Sequence, residues 1–399
     1  MDYISRDTYI EKIKPFINKS LIKIFTGQRR VGKSFILYQI IDIIKLNTPL
    51  ANIIYINKEL KEFSDIKDSD TLYNYIKNKS RNNTLNYVFI DEIQEIIEFE
   101  KALRSLLAEG ECDIYCTGSN ASLLSGDLAT LLTGRYIEIN IHSLTYIEFL
   151  NFHKLDKGKE SLIKYLKYGG MPYLIHLPLS DQVTNEYLIN IYNTVLLKDI
   201  VKRFNIRNVY LLEKLVEYLA NNIGSIFSAK KISDFLKSQK INLSTKVILE
   251  YLSYLEHAFF IYKVKRSDIE GKKIFEIGEK IFFEDIGIRN IINPYNPKDI
   301  GDLLENAVFH HLIVFGWTVY IGYEGEKEID FIATKGNNRM YIQVAYQIPD
   351  KKTHQREFGN LLLIPDNFRK IVISLDDFAE GNYKGIEYIN AIEFLSAGL

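Results

Sequence analysis

Residues Gly27-Gln28-Arg29-Arg30-Val31-Gly32-Lys33-Ser34 carry the spacing G-x-x-x-x-G-K-[ST]. Its glycines let backbone N–H groups curl around a polyphosphate. Lys33 then reaches the β- and γ-phosphates, and the Ser34 hydroxyl is placed to ligate Mg2+. The helix expected to follow adds the positive end of its dipole. Such a site needs an acidic half, and Tyr87-Val88-Phe89-Ile90-Asp91-Glu92, an apolar run closed by two acids, supplies one. There Asp91 would hold Mg2+ through water and Glu92 would polarise an attacking water. The implied ligand is ATP with Mg2+, bound by Gly27 to Ser34 together with Asp91. Two positions are softer. In Thr117-Gly118-Ser119-Asn120, Asn120 either senses the γ-phosphate or belongs to a plain turn or helix cap. In Gly134-Arg135, Arg135 is either an arginine finger or a surface arginine.

These residues need a scaffold, and the first ~140 residues alternate strand and helix patterns. Leu21–Thr26, Asn52–Asn57, Tyr87–Ile90, Asp113–Thr117 and Tyr136–Ile141 read as strands. Apolar positions at three/four spacing, such as Phe35, Ile36, Gln39, Ile40 and Ile43, read as the helices between them. That alternation implies βαβ units and a parallel sheet, which binds ligands at the carboxyl ends of its strands. A mostly helical stretch follows. Thr145-Tyr146-Ile147-Glu148 has the capping-box pattern, and helices are expected near Glu160–Lys167 and Gln182–Phe204. Gly169-Gly170-Met171-Pro172 between them must turn. Helices over Ser228–Gln239 and after Ser244 precede two β-like runs, Phe259–Val264 and Lys273–Glu276. The last ~120 residues mix a helix at Leu303–Val314 with strands at Thr318–Tyr323, Glu328–Ala333 and Met340–Ala345.

Composition bounds the reading. The 399 residues fit two or three domains at ~150 residues each. With 47% apolar and 25% charged residues the chain is an ordinary globular mixture, neither disordered nor collagen-like. A formal net charge of -1 argues against a globally basic nucleic-acid binder, though a local basic face is compatible with it. Cys112 and Cys116, roughly 13 Å apart on a strand, do not make a disulfide, and two cysteines build no zinc site. A reducing cytoplasm is the expected compartment. Met1–Asp7 lacks a signal-peptide core, and His310 and His311 interrupt the longest apolar stretch, so no membrane span is expected. The seven histidines show no ligand spacing.

The order of these motifs resembles the AAA+ superfamily: the phosphate loop, FIDE, a strand ending TGSN, a helix, then GRY before another strand. It is more closely similar to a bacterial and archaeal group of ATPases whose core is followed by a GG-x-P turn among helices, a winged helix and a restriction-endonuclease-like domain. The resemblance implies an α/β fold with a P-loop NTPase core at 1–150, a helical lid at 151–206, a winged helix at 207–278 and a degenerate nuclease-like domain at 279–399. It places Arg135 where the finger acts on a neighbouring subunit's nucleotide, so a homo-oligomer is implied.

Between Ser225 and Phe275 ten Lys/Arg face five Asp/Glu, a local charge of +5. Ser244, Thr245 and Lys246 would head a recognition helix, with Lys263, Lys265, Arg266, Lys272 and Lys273 on the wing. Such a patch suits duplex DNA, although winged helices also serve as lids or dock protein partners. In the last domain Glu305, Asp330 and Gln343 resemble the PD-(D/E)XK pattern. Gln343 replaces its second carboxylate, and Ala345 stands where the lysine should be. With Lys335 as the one migrated cation considered, a domain that does not cut is expected; the rivals are an ATP-dependent nuclease and a regulatory switch acting through protein partners.

Overall fold

The computed structural model describes residues 3–119, 132, 134–268, 274–324, 327–377 and 379–398. Asn120, Lys272 and Lys273 lie outside them. The chain forms two compact units, one of Met1–His142 with His257–Phe259 and the other of Ser143–Glu256 with Phe260–Leu399.

The first unit is built on five strands: β1 (Ile22–Thr26), β2 (Asn52–Asn57), β3 (Asn86–Asp91), β4 (Cys112–Gly118) and β5 (Tyr136–Asn140). They pair in the order β2-β3-β4-β1-β5, every pair parallel. Strands β1, β3 and β4 are buried along their whole length, which explains their near-continuous apolar sequence. Because β1, β4 and β3 run parallel, the phosphate loop after β1 and the acids that end β3 emerge at the same edge of the sheet. At the opposite edge, β1 and β4 carry Lys23 and Asp113, both fully buried and ion-paired. Burial pulls the Lys23 ammonium down, and Asp113 only partly offsets this. Asp113 also accepts from the Asn18 N–H at 2.9 Å and the Tyr115 hydroxyl at 2.7 Å. Replacing Asp113 by Ala leaves a buried cation unpaired. The expected loss is about 3–5 kcal/mol of stability, read from denaturant midpoints.

In the second unit, Thr145 and Glu148 form the expected capping box at the head of helix Tyr146–His153. Helix Lys159–Tyr168 ends at Gly169-Gly170. The turn there wraps the buried Asp285 carboxylate, which accepts from the Gly170 N–H at 2.7 Å and the Ile288 N–H at 3.0 Å. A Cβ on Gly170 would stand 2.3 Å from the Leu144 carbonyl oxygen, so only glycine fits. The single helix expected over Gln182–Phe204 instead changes pitch. It is α-helical over Asp181–Thr194 and π-helical over Val195–Lys202, where Val195 and Ile200, five residues apart, are both buried.

The remaining strands are β6 (Ile226–Phe227), β7 (Ile261–Asp268), β8 (Ile274–Phe283), β9 (Thr318–Glu324), β10 (Lys327–Lys335), β11 (Asn338–Val344), β12 (Arg369–Ser374), β13 (Glu380–Tyr383) and β14 (Ile386–Asn390). They form one mixed sheet in the order β13-β14-β12-β11-β10-β9-β7-β8-β6. The hairpin of β7 and β8 therefore continues the sheet of the C-terminal strands, β7 pairing in parallel with β9. Residue 278, the sequence boundary expected between two domains, falls inside β8. Among the described residues no helix is long and apolar enough to cross a membrane.

Candidate nucleotide site

The phosphate loop runs from the end of β1 into helix Lys33–Asn47. Gly27 and Gly32 take φ of +142° and +96°, values that disfavour any side chain. At Gly27 a Cβ would also stand 2.1 Å from the Ile141 carbonyl oxygen, so the cradle closes only around glycine. Lys33 is buried, and its ammonium donates to the Gly27 oxygen at 3.0 Å and the Gln28 oxygen at 2.9 Å. It is thus held inside the loop by neutral acceptors, which an anionic phosphate can replace with stronger charge-assisted bonds.

The loop's far side is tied down by a residue that sequence reasoning missed. Buried Arg6 donates through Nη1 to the Val31 oxygen at 3.0 Å and the His142 oxygen at 2.8 Å, and its guanidinium stacks over Tyr9. The Gln39 side chain accepts from the Arg6 N–H at 3.1 Å, and the Tyr9 hydroxyl accepts from the His142 N–H at 3.1 Å. A lone arginine far from any motif carries no sequence signal for this role.

Asp91 closes β3 and Glu92 follows with φ +57°, a left-handed turn that lifts its side chain off the strand direction. Thr117, on the adjacent β4, fixes both. Its hydroxyl donates to Asp91 and accepts from the Glu92 N–H at 2.9 Å. On the other flank the Tyr55 hydroxyl reaches Asp91 at 3.2 Å and stands 3.1 Å from the Tyr38 hydroxyl. Burial and then the Asp91 charge push the Tyr55 phenol well above its ordinary value, so it remains a donor. Glu92 accepts from Ser119 Oγ at 2.7 Å and from the Gln94 amide. Burial alone would raise its carboxyl. Lys33, the Ser119 bond, Arg29 and Gln94 together outweigh burial and hold it below the usual carboxylate range. An ionised carboxylate and a buried ammonium therefore face the same space.

The donor set fits a hard divalent cation and a polyphosphate. Ser34 lies in the first turn of the helix and the Asp91 carboxylate ends β3, both oxygen donors of the kind Mg2+ takes. Arg29 pairs with Glu59 at 3.6 Å, whereas Arg30 is exposed with φ +71°. Arg135 is exposed and precedes β5 at the edge opposite the loop, a strand length of about 16 Å away. The fold does not bring it to this chain's own loop.

Two further expectations are corrected. The basic residues expected on the wing are partly engaged. Lys263 pairs with Glu256 at 2.6 Å, and Arg266 stacks on Tyr323 at 3.8 Å, while Lys265 is exposed. The exposed charge lies instead on helices Ala229–Ser238 and Thr245–His257 and the turn between them, at Lys230, Lys231, Lys237, Lys240 and Lys246. Ser244 and Thr245 are exposed beside Lys246, and Ser244 Oγ accepts from the Val247 N–H at 3.4 Å.

In the C-terminal strands the acids are not left without a cation. Lys335 stacks over Trp317. Lys280, on β8, instead places Nζ 2.8 Å from Glu305, 2.7 Å from Glu328 and 3.5 Å from Asp330. Gln343 accepts from the Asp330 N–H at 3.4 Å, and Ala345 is buried. Sequence reasoning missed Lys280 because 50 residues separate it from Asp330 along the chain.

Residues 19–150 match the AAA domain family, and residues 159–299 match a domain family of unknown function. The fold is similar to that of the Walker-type ATPase PABY2304 of Pyrococcus abyssi, with a TM-score of 0.50 and 14% identity over 73% of this chain and 96% of that one. A Haemophilus influenzae protein described as uncharacterised is 36% identical across 98% of both chains. The Methanocaldococcus jannaschii protein MJ1544, also described as uncharacterised, is 31% identical over 94% of this chain and 85% of its own. The chain belongs to the family of these two proteins, with an AAA domain as its N-terminal part.

Proposed function

We propose that the protein is a Mg2+-dependent ATPase of the AAA+ type whose hydrolysis switches the attached second unit. The observation that supports this most is the convergence of Lys33, Asp91 and Glu92 on one glycine cradle at the carboxyl edge of a parallel sheet. In this reading, Gly27 to Ser34 wrap the phosphates and Lys33 exchanges its loop carbonyls for phosphate oxygens. Ser34 and Asp91 would hold Mg2+, which neutralises charge on the transferring phosphoryl group. Glu92, kept ionised, orients the attacking water, and Asn120 at the end of the β4 segment is the candidate phosphate sensor. Arg135 acts in trans on a neighbouring copy, which makes the working form a cytoplasmic homo-oligomer.

The partner we favour is duplex DNA, bound by a winged-helix-like unit. The exposed lysines of its helix pair, headed by Ser244 and Thr245, support this over a protein partner. Replacing Lys230, Lys246 and Lys265 together by Ala is expected to weaken binding at every sequence and to flatten the salt slope by up to ~3 units. Failure of the parent chain to hold DNA at low salt would favour the docking alternative. The C-terminal domain, in this reading, does not cut. ATPase rate with and without duplex DNA, beside the mass in solution, tests the whole: stimulation in an oligomer supports it, and an unresponsive monomer contradicts it.

A further inference from the structure

The nine-stranded sheet ends on β13, a strand of four residues that pairs with β14. Lys384 and Gly385, with φ of +52° and +89°, make the two-residue turn between them, so the hairpin closes at Tyr383 and Ile386. The alternation of an antiparallel ladder then turns the backbone N–H and C=O of Asn382 away from β14, toward the edge of the sheet. Among the described residues no strand pairs with that edge. Beside it, between β13 and helix Lys351–Leu362, runs a groove of about 560 Å3, within the size range of ligand clefts. Phe358, Leu362 and the Tyr383 ring supply its apolar lining, and Lys351 and Gln355 line it from the helix. We propose that this edge and groove dock an extended acidic peptide of a partner protein, which adds a strand to β13 and sets alternate side chains against helix Lys351–Leu362.

The groove is braced from within. Tyr383 stands edge-on to His354 at 4.8 Å and to Phe358 at 5.5 Å, and His354 stacks on Phe358 at 4.2 Å. Gly359 leaves room beside these rings, since a Cβ there would meet only Gln355 Cγ, at 3.9 Å. Charge selects the occupant. Residues 351–362 and 381–386 carry Lys351, Lys352, Arg356 and Lys384 against one acid, Glu357, which is buried and pairs with Arg356. Asp350, just before them, spends its carboxylate on capping the helix through the Thr353 N–H at 2.7 Å. Lys384 Nζ lies 5.4 Å from the centre of the Tyr383 ring, which puts positive charge at the lip of the groove. In a chain of net charge -1, this local excess favours an anionic ligand. The sheet edge then separates peptide from nucleic acid. Asn382 presents a backbone donor and a backbone acceptor, and a peptide backbone answers both, whereas the phosphodiester backbone of DNA offers acceptors only. An added strand would turn every second side chain toward the groove, so apolar residues are expected there and acids between them.

The site lies outside the nucleotide machinery, so its test does not depend on ATP turnover. The full chain is titrated, by fluorescence anisotropy at low salt, with a labelled pool of peptides of about twelve residues in which Asp or Glu alternates with Val, Ile, Leu or Phe. A pool with Lys or Arg in place of the acids and a single-stranded oligo-dT of equal length are the comparisons. The acidic pool is expected to bind about tenfold or more tightly than either. Gly359→Leu fills the groove from a helix position that tolerates a side chain, and Lys351→Glu with Lys384→Glu reverses the charge around it. Each change is expected to weaken binding of the acidic pool about tenfold or more. In the parent chain, the acidic pool is expected to slow hydrogen exchange at the Asn382 amide. No binding of the acidic pool overturns the proposal, as does binding that either folded variant leaves unchanged. Preference for the oligonucleotide also overturns it and assigns the face to nucleic acid. Bound peptide without protection at Asn382 overturns the added strand, and this arm uses the parent chain, so it decides even if a variant fails to fold.

Discussion

Glu92→Gln is expected to bind ATP like the parent and to hydrolyse it some 10²- to 10⁴-fold more slowly, the usual span for removing a positioned general base. The substitution keeps the size and one acceptor oxygen while removing the charge that Lys33 and Arg29 stabilise. Nucleotide affinity measured by calorimetry, set beside phosphate release, separates the two effects. Loss of binding together with turnover would mean that Glu92 is structural. The sign of its shift adds a pH test. The Glu92 carboxyl is held below its ordinary value of 4.5, so it remains ionised throughout the neutral range. An activity limb attributable to Glu92 should therefore fall below pH 4.5, and one at higher pH would belong to another group.

Lys33→Ala should lower ATP affinity or turnover by at least tenfold, because it removes the one ammonium enclosed by the loop. The fold should survive the change. Lys33 donates to two backbone oxygens that water or phosphate can serve instead, and Gly27, Gly32 and the Arg6 bonds to Val31 and His142 fix the loop independently. An unchanged thermal midpoint with lost nucleotide binding is the expected pair of results. A Lys33→Ala chain that binds and hydrolyses ATP like the parent would remove the phosphate loop from the account.

The part of this site most legible in the sequence was the part dictated by backbone geometry. A phosphate cradle needs glycine at fixed spacing, and the strand before it must be apolar on both faces. Gly27, Gly32 and β1 therefore announced one another. Asp91 and Glu92 followed from the same logic at the end of β3. What was not legible depends on contacts between residues distant in sequence. Arg6 reaches Val31 and His142 across 25 and 136 residues, and Lys280 reaches Asp330 across 50. Neither pairing leaves a local pattern. Helix Val209–Asn221 is a different case, since Leu212, Leu215, Val216 and Leu219 have plain helical spacing behind an Asn208 cap. That signal is local and lies in the sequence itself, next to the longer apolar run before it. The setting of the β7–β8 hairpin is not legible either, because a hairpin of alternating Lys and apolar residues reads the same whether it projects freely or joins a larger sheet. Only the pairing of β7 with β9 decides that.

The most direct test of the central claim is phosphate release from ATP by the purified full chain, counted per chain over time with Mg2+ and with Mg2+ chelated. The expected result is several phosphates per chain with Mg2+, none with the chelator, and none from Glu92→Gln within the same period. Release no faster than that from buffer alone, in a chain that is folded and given Mg2+, would contradict the assignment of Lys33, Asp91 and Glu92 as a hydrolytic site.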